Sequence, residues 1–386
     1  MTAITVNNLY LDEAATSKPE CDLINQSRIY QTFAWYNPSS LYENGKVVKT
    51  MIEAVRKQIA DSINAEPCEI YFTSGSTESN NWVFRGFNDY YGINSVIITT
   101  PIEHNSILYL IKNKDYALKD SMVCKCKVFE DGHVDSNDLE EKLSAFYLTK
   151  SNALVSVIYG NNEIGTIQDI EELSYITHKY NGIFHTDATQ AYGKVKIDVK
   201  KQNIDLLSAS SQKLGGIKGC GFLYIKKDVK IAPLIYGSQE NKMRGGTENT
   251  LGILTFGKAV EKIDYEKSER ISKVRDYMIK KLKTRFDCKI NGSLINRLPN
   301  NINLTFPQAI TGESLIYMLE VDGILLSSGS ACNSYSVKPS NVLTAIGLSE
   351  DEASRTIRIT LADDIELSKV DVVIEAIDKA IKVITS

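Results

Sequence analysis

The sequence predicts an α/β fold, with a mostly parallel sheet in a large domain and a smaller α+β domain at the C-terminal end. Three observations carry this. Short apolar runs alternate with helical patterns along the first two thirds of the chain. Neither an internal repeat nor a low-complexity linker interrupts that alternation. From about Gly252 the pattern changes to a long charged helical stretch and then a few strands of antiparallel character. The expected division is residues 15–255 for the large domain, and residues 1–14 with 256–386 for the small one.

Taken in order, EIYFTSG, NSVIITT, ALVSVIYG, GIFHTDA, IDLLSAS and GFLYIKK are the expected strands of the large domain. The segments VVKTMIEAVRKQIADSI and QDIEELSYITHKYN carry apolar residues at helical spacing. Such alternation implies a parallel sheet covered on both faces. Sites in these sheets lie beyond the carboxyl ends of the strands. In the C-terminal part, the stretch GKAVEKIDYEKSERISKVRDYMIKKLKTRF reads as one long helix. NNINLTF and TIRITL read as strands, with the helical segment ESLIYMLEVDG between them.

Composition narrows the class. The chain has 386 residues, 43% hydrophobic and 24% charged, as expected of a soluble globular protein. A net charge of −4 and a pI near 5.8 argue against a nucleic-acid or anionic-membrane surface. No apolar run has the length of a membrane span, and the N-terminus lacks the order of a signal peptide, so a cytoplasmic location is expected. Seven scattered cysteines suggest reduced thiols rather than a disulfide framework. Cys124 and Cys126, on the stretch VCKCKVF, read as two core-facing thiols of a strand; no metal site is expected.

The candidate chemistry sits at expected strand ends. Asp187 closes one strand, and Lys213 follows the next through Ser210 and Gln212. An acid and a lysine so placed suit an aldehyde cofactor with a pyridine ring, the carboxylate facing the ring nitrogen and the amine forming a Schiff base. Ordinary α/β sheets also carry such pairs on their surfaces, and the stretch alone leaves both readings open. FTSGSTESNN follows a strand and opens a helix; Gly75, Ser76 and Thr77 make it either an anion site or a plain helix cap. His104, in TTPIEHNSI, suits ring stacking and proton exchange, although a lone histidine is often structural. Asn162 in GNNEIG could bond a cofactor or a substrate carboxylate, or simply turn the chain. MRGGTENT offers Thr247 to a ligand or a neighbouring subunit. SSGSACNSYS sets Cys332 among small polar residues, where a thiol is accessible. Arg358 in TIRITL suits a bidentate grip on a carboxylate, or an ion pair.

Together and in this order, LDEAATS, NPSSLYENG, FTSGSTESNN, EHNSI, NNEIGTIQDI, HTDATQAYGK, the Lys213 turn, MRGGTEN, SSGSAC and IRITL resemble the pyridoxal-phosphate cysteine desulfurases of the class V aminotransferase type. The resemblance covers nearly the whole chain and is closest to the group with a mobile cysteine loop. It implies a PLP-transferase type I fold and an enzyme that converts L-cysteine to L-alanine. Lys213 would form the Schiff base, Asp187 would pair with the pyridine nitrogen, Gln190 would contact the ring oxygen and His104 would stack on the ring. Asn162 would contact cofactor or substrate, and Arg358 would take the substrate carboxylate. Ser76, Thr77, Ser210 and Gln212 would hold the phosphate, with Thr247 supplied by the partner of a homodimer. Cys332 would receive the sulfur as a persulfide and pass it to an acceptor protein, an iron–sulfur scaffold or a thiolation carrier, in iron–sulfur cluster biogenesis or thiolation. Selenocysteine lyase or another class V enzyme is the alternative within the family, and a non-catalytic scaffold the alternative outside it. The sequence departs from the family pattern at Gln212 and Tyr42, where histidine is usual, and at Glu13, where asparagine is usual.

Overall fold

A computed structural model describes residues 8–19, 21–307, 310–328 and 339–385. Its strands are β1 (Leu9–Tyr10), β2 (Ile70–Thr73), β3 (Ser95–Thr99), β4 (Ser121–Lys125), β5 (Asn152–Ile158), β6 (Ile183–Asp187), β7 (Leu206–Ser210), β8 (Gly221–Ile225), β9 (Lys289–Ile290), β10 (Asn301–Thr305), β11 (Ile324–Leu325), β12 (Ser327–Ser328) and β13 (Thr356–Thr360). The six apolar runs of the large unit are all strands.

Seven strands form one sheet in the order β2-β8-β7-β6-β5-β3-β4. Only β8 runs against the others, antiparallel to both β2 and β7. Strands β3, β7 and β8 are buried along their whole length. That burial explains why they read as continuous rather than alternating apolar runs. One face packs Ile59, Phe184, Phe222 and Phe256 into a core, and the other packs Trp82, Phe84, Phe87 and Leu206. The carboxyl ends of β2, β3, β5, β6 and β7 therefore open on one edge of the sheet, and the candidate residues follow those ends.

The C-terminal unit is an antiparallel sheet in the order β12-β13-β10-β9, with its own core of Ile302, Leu304, Ile357, Ile359 and helix residues such as Met278 and Leu315. The charged stretch expected to be one helix is two, Thr250–Val260 and Tyr265–Phe286. Asp264 separates them, its side chain accepting from the backbone N–H groups of Glu266 and Lys267 as an N-cap. A cap satisfies the orphan donors of a new helix, and the apolar spacing on either side hid the break.

Two segments cross between the units. Residues 9–10 pair in parallel with β11, and Thr360 N–H donates to Leu11 O at 2.8 Å. Val342, Leu343, Ile346 and Leu348 pack against Ile102, Ile158 and Ile164 beside the carboxyl edge of the large sheet. Cys124 lies on β4, but Cys126 lies one residue past its end; Cys126 is buried and Cys124 packs against the same core. Among the described residues no cluster of His, Cys, Asp and Glu could hold a metal ion. None of the described helices is long and apolar enough to cross a membrane.

Candidate active site

Asp187 ends β6 and is only 2% exposed, so its carboxylate needs donors. Thr189 supplies its backbone N–H at 3.0 Å and its hydroxyl, and Asn80 Nδ2 donates at 2.7 Å. Asn80 lies on the helix Ser76–Tyr91 and is fully buried. The same amide nitrogen reaches Ser106 Oγ at 2.9 Å, and Ser106 Oγ lies 2.9 Å from His104 Nδ1. Asp187 and His104 are thus joined through Asn80 and Ser106.

His104 is not at a strand end. Strand β3 stops at Thr99, and His104 caps the helix Asn105–Lys112 after a four-residue turn. Its Nδ1 accepts the backbone N–H of Ser106 at 3.1 Å, which puts the proton of the neutral ring on Nε2. Burial lowers its pKa from the ordinary value; Asp187 acts in the opposite direction and Lys213 reinforces the lowering. Asp187 and Lys213 are therefore both within electrostatic reach of one ring.

Lys213 ends the short turn Ser211–Lys213 after β7. Its Nζ donates to Ala14 O at 2.6 Å and also to Ala15 O. Gln190 Nε2 donates to the same Ala14 carbonyl at 2.9 Å. The N-terminal segment is held there by Ser17, whose N–H donates to Gln212 O and whose hydroxyl donates to Lys213 O, both at 3.1 Å. Beside Lys213 a cavity of about 390 Å³ is bordered by Glu13, Ser17, Lys194 and Gly215. Glu13 is buried, and desolvation raises its pKa against the opposing influence of Lys18 N–H and Lys194.

The phosphate candidates meet where β2 enters its helix. Gly75, with φ of +149°, is the N-cap residue, a conformation that a side chain would strain. A Cβ there would stand 3.6 Å from Ser210 Oγ, so Ser210 borders the same turn as Ser76 and Thr77. Thr247 is exposed on a separate loop, and Gln212 is half-buried beside Lys213.

Arg358 lies on β13, flanked by β10 and β12, and its side chain is 3% exposed. Its Nη2 pairs with Asp12 Oδ1 at 2.8 Å, and its Nη1 donates to the backbone O of Asn162 at 3.2 Å. The Nε atom is buried without a partner. Arg358 is buried and Asp12 half-buried, so the pair is partly shielded from water rather than superficial.

Several participants escaped the sequence reading. Asn80 shares a helical stripe with Val83, Phe84 and Phe87, and a polar residue on a buried stripe is a signal in itself. Asp12 lay in LDEAATS without a partner to mark it. Glu103, beside His104, is fully buried with Oε2 unpartnered, and desolvation raises its pKa to about 8. His185, two residues before Asp187, sits between Ser156 Oγ at 2.8 Å and Ser208 Oγ at 3.0 Å, and burial lowers its pKa to about 4. Cys332, the expected nucleophile, lies outside the described residues.

This donor set fits pyridoxal phosphate. A buried carboxylate already held by three donors can face a pyridinium, a lysine stands near it, and a helix start with nearby hydroxyls can receive a phosphate. Arg358 Nε, buried and unpartnered, is a donor left over for a substrate carboxylate.

The chain matches the family model for aminotransferase class V over residues 9–373. It is 41% identical to the cysteine desulfurase IscS of Methanosarcina thermophila over 384 residues, covering 97% of this chain and 92% of that protein. Among solved structures, one titled "NIFS-LIKE PROTEIN" aligns with a TM-score of 0.88 and 30% identity over 97% of this chain and all of its own. Another, "SspA in complex with cysteine", aligns with a TM-score of 0.79 and 33% identity over 92% of this chain and 99% of that one. The chain belongs to the class V aminotransferase family, and its cofactor is pyridoxal phosphate. Within that family its similarity is to proteins named cysteine desulfurase.

Proposed function

We propose that this pyridoxal-phosphate-dependent cysteine desulfurase takes sulfur from L-cysteine onto Cys332, releases L-alanine and hands the sulfur to an acceptor protein. The observation that carries the reading is the joining of Asp187 and His104 through Asn80 and Ser106, with Lys213 acting on the same ring. A scaffold protein has no use for a buried carboxylate held in that way.

When bound, the cofactor supplies an electron sink for the carbon next to the substrate nitrogen. Asp187 is assigned to its ring nitrogen, Gln190 to its ring oxygen, and His104 to its face. Ser76, Thr77, Ser210 and Gln212 are assigned to its phosphate. Arg358 fixes the substrate carboxylate, with Asn162 beside it, and so orients the reacting carbon. Lys213 moves protons at that carbon. The Cys332 thiolate attacks the substrate sulfur and the sulfur–carbon bond breaks. The bonding pair stays with carbon, a proton completes L-alanine, and the enzyme keeps a persulfide. The acceptor is an iron–sulfur scaffold or a thiolation carrier, and the setting is the cytoplasm. Neither nucleic acid nor a membrane is a direct partner.

The active form is a homodimer with Thr247 reaching the partner's phosphate. Thr247 is exposed on its loop, where a partner subunit could meet it. The residues 15–255 and the remainder are assigned as the two domains.

The test is alanine and sulfide production from L-cysteine with a thiol reductant. Cys332→Ala is expected to lose turnover while keeping the visible absorption of bound cofactor. Undiminished cysteine turnover by that variant sinks the mechanism and points to a lyase that needs no thiol on this loop. Sedimentation of a strictly monomeric active enzyme sinks the dimer.

A further inference from the structure

The loop from Ile235 to Asn249, which carries Thr247, is far from a free surface loop. A Cβ on Gly245 would lie 2.2 Å from Tyr236 O, and one on Gly237 would lie 2.4 Å from Gly245 Cα. The chain therefore crosses itself at a spacing that only glycine permits. Three successive residues, Glu240, Asn241 and Lys242, hold positive φ of 46°, 55° and 67°. A non-glycine run of that kind is costly and persists only where its surroundings fix it. Glu240 supplies the fixing. Its buried carboxylate takes Arg56 bidentately, Nη1 and Nη2 both at 2.8 Å, and accepts Phe72 N–H at 2.9 Å.

A second fastening lies closer to Thr247. Arg244 Nε donates to Glu78 Oε1 at 2.9 Å and Nη2 to Glu78 Oε2 at 3.1 Å, with side chains 20% and 11% exposed. Glu78 stands in the first turn of the helix that Ser76 and Thr77 open, and its Oε2 also accepts Ser74 N–H at 2.9 Å. One carboxylate thus closes the Ser74–Gly75 turn from inside and receives the loop from outside. The two segments face each other across a cavity of about 150 Å³ that Ser74, Gly219, Arg244 and Thr247 border.

We infer that the Arg244–Glu78 fork is a positioning element for phosphate: it sets the Ser76–Thr77 turn and the Thr247 loop as one rigid unit. This rests on the assignment of that turn to the cofactor phosphate. Neither residue need touch the phosphate. Glu78 is an anion at the start of a helix meant to receive an anion, so its charge must be cancelled, and Arg244 cancels it. The fork geometry also explains an arginine here rather than a lysine, since two parallel bonds fix the loop's angle and one does not.

The experiment titrates cofactor-free dimer with pyridoxal phosphate and, separately, with pyridoxal, which lacks the phosphate. For Arg244→Lys, about a tenfold rise in Kd for pyridoxal phosphate is expected, with pyridoxal binding unchanged; Arg244→Ala should lose more. Circular dichroism and melting curves identify folded protein, and Arg244→Lys serves if Arg244→Ala does not fold. Equal losses for both ligands mean a general structural role and overturn the inference. Unchanged pyridoxal phosphate binding by Arg244→Lys and Glu78→Gln overturns it as well. Thr77→Ala and Ser210→Ala separate the two levels. If they weaken pyridoxal phosphate but the Arg244 and Glu78 variants do not, the inference fails alone. If they too change nothing, the phosphate assignment fails and takes the inference with it.

Discussion

Asn80→Ala tests the link on which the site depends. The side chain is fully buried, and its Nδ2 gives Asp187 one of its hydrogen bonds at 2.7 Å. A hydrogen bond to a charged group contributes about 1.5–3 kcal/mol, and burial leaves no water to replace it. At about 1.36 kcal/mol per tenfold, the loss corresponds to a roughly ten- to hundredfold weakening of whatever the Asp187 carboxylate holds. Pyridoxal phosphate affinity and kcat/KM for L-cysteine should both fall by that order. The bond to Ser106 at 2.9 Å is lost too, so His104 loses its link to Asp187. Absorbance titration of cofactor-free protein gives the affinity, and initial rates give kcat/KM. Asn88→Ala is the control: Asn88 is also buried on the same helix, but its Oδ1 accepts Asp120 N–H and the Ser121 hydroxyl, away from the site. It should lower Tm without changing cofactor affinity. Asn80→Ala protein that is folded and within twofold of wild type on both measures would refute the reasoning.

Two other changes have signed outcomes. Glu103 has its folded pKa raised to about 8 by burial, above the ordinary value near 4.3. Its contribution to stability is complete below that ordinary value and is lost as pH rises towards 8, because the unfolded chain gives up its proton first. Glu103→Gln keeps the shape and cannot ionise, so its melting curve should vary less between pH 5 and 8, and its Tm at pH 8 should exceed wild type by about 4 °C or more. A variant that melts below wild type at pH 8 contradicts the account. Arg358→Lys should raise KM for L-cysteine about tenfold or more while leaving cofactor absorption intact, because a lysine cannot serve Asp12, the Asn162 carbonyl and a carboxylate together. An unchanged KM in steady-state rates rules Arg358 out as the carboxylate clamp.

Much of the fold and of the site's inventory was legible in the chain. Strands buried on both faces are mostly apolar, so β3, β7 and β8 were recognisable as runs, and the residues after strand ends were the ones to inspect. Lys213, Asp187, Gly75 and Arg358 stood out as candidates because each belongs to a local pattern of strand, turn and charge. The break at Asp264 was missed because apolar helical spacing continues on both sides of it, and a cap is a local event that periodicity does not record.

What the sequence could not decide was which side chains meet. Asn80 and Asp187 are 107 residues apart, Asp12 and Arg358 346 apart, and Glu78 and Arg244 166 apart. No periodicity extends over such distances, and each pairing follows from how the strands, helices and loops are brought together in the fold. That arrangement brings β2, β6 and β7 to one edge and lays residues 9–15 between the two units, where the carbonyls of Ala14 and Ala15 receive Lys213. The amino acids alone determined which chemistry was on hand, since strand, turn and charge patterns are short-range. Which acid is held by which amide, and which cation cancels which anion, was decided by tertiary packing, because a buried polar group must find its partner wherever the fold brings one.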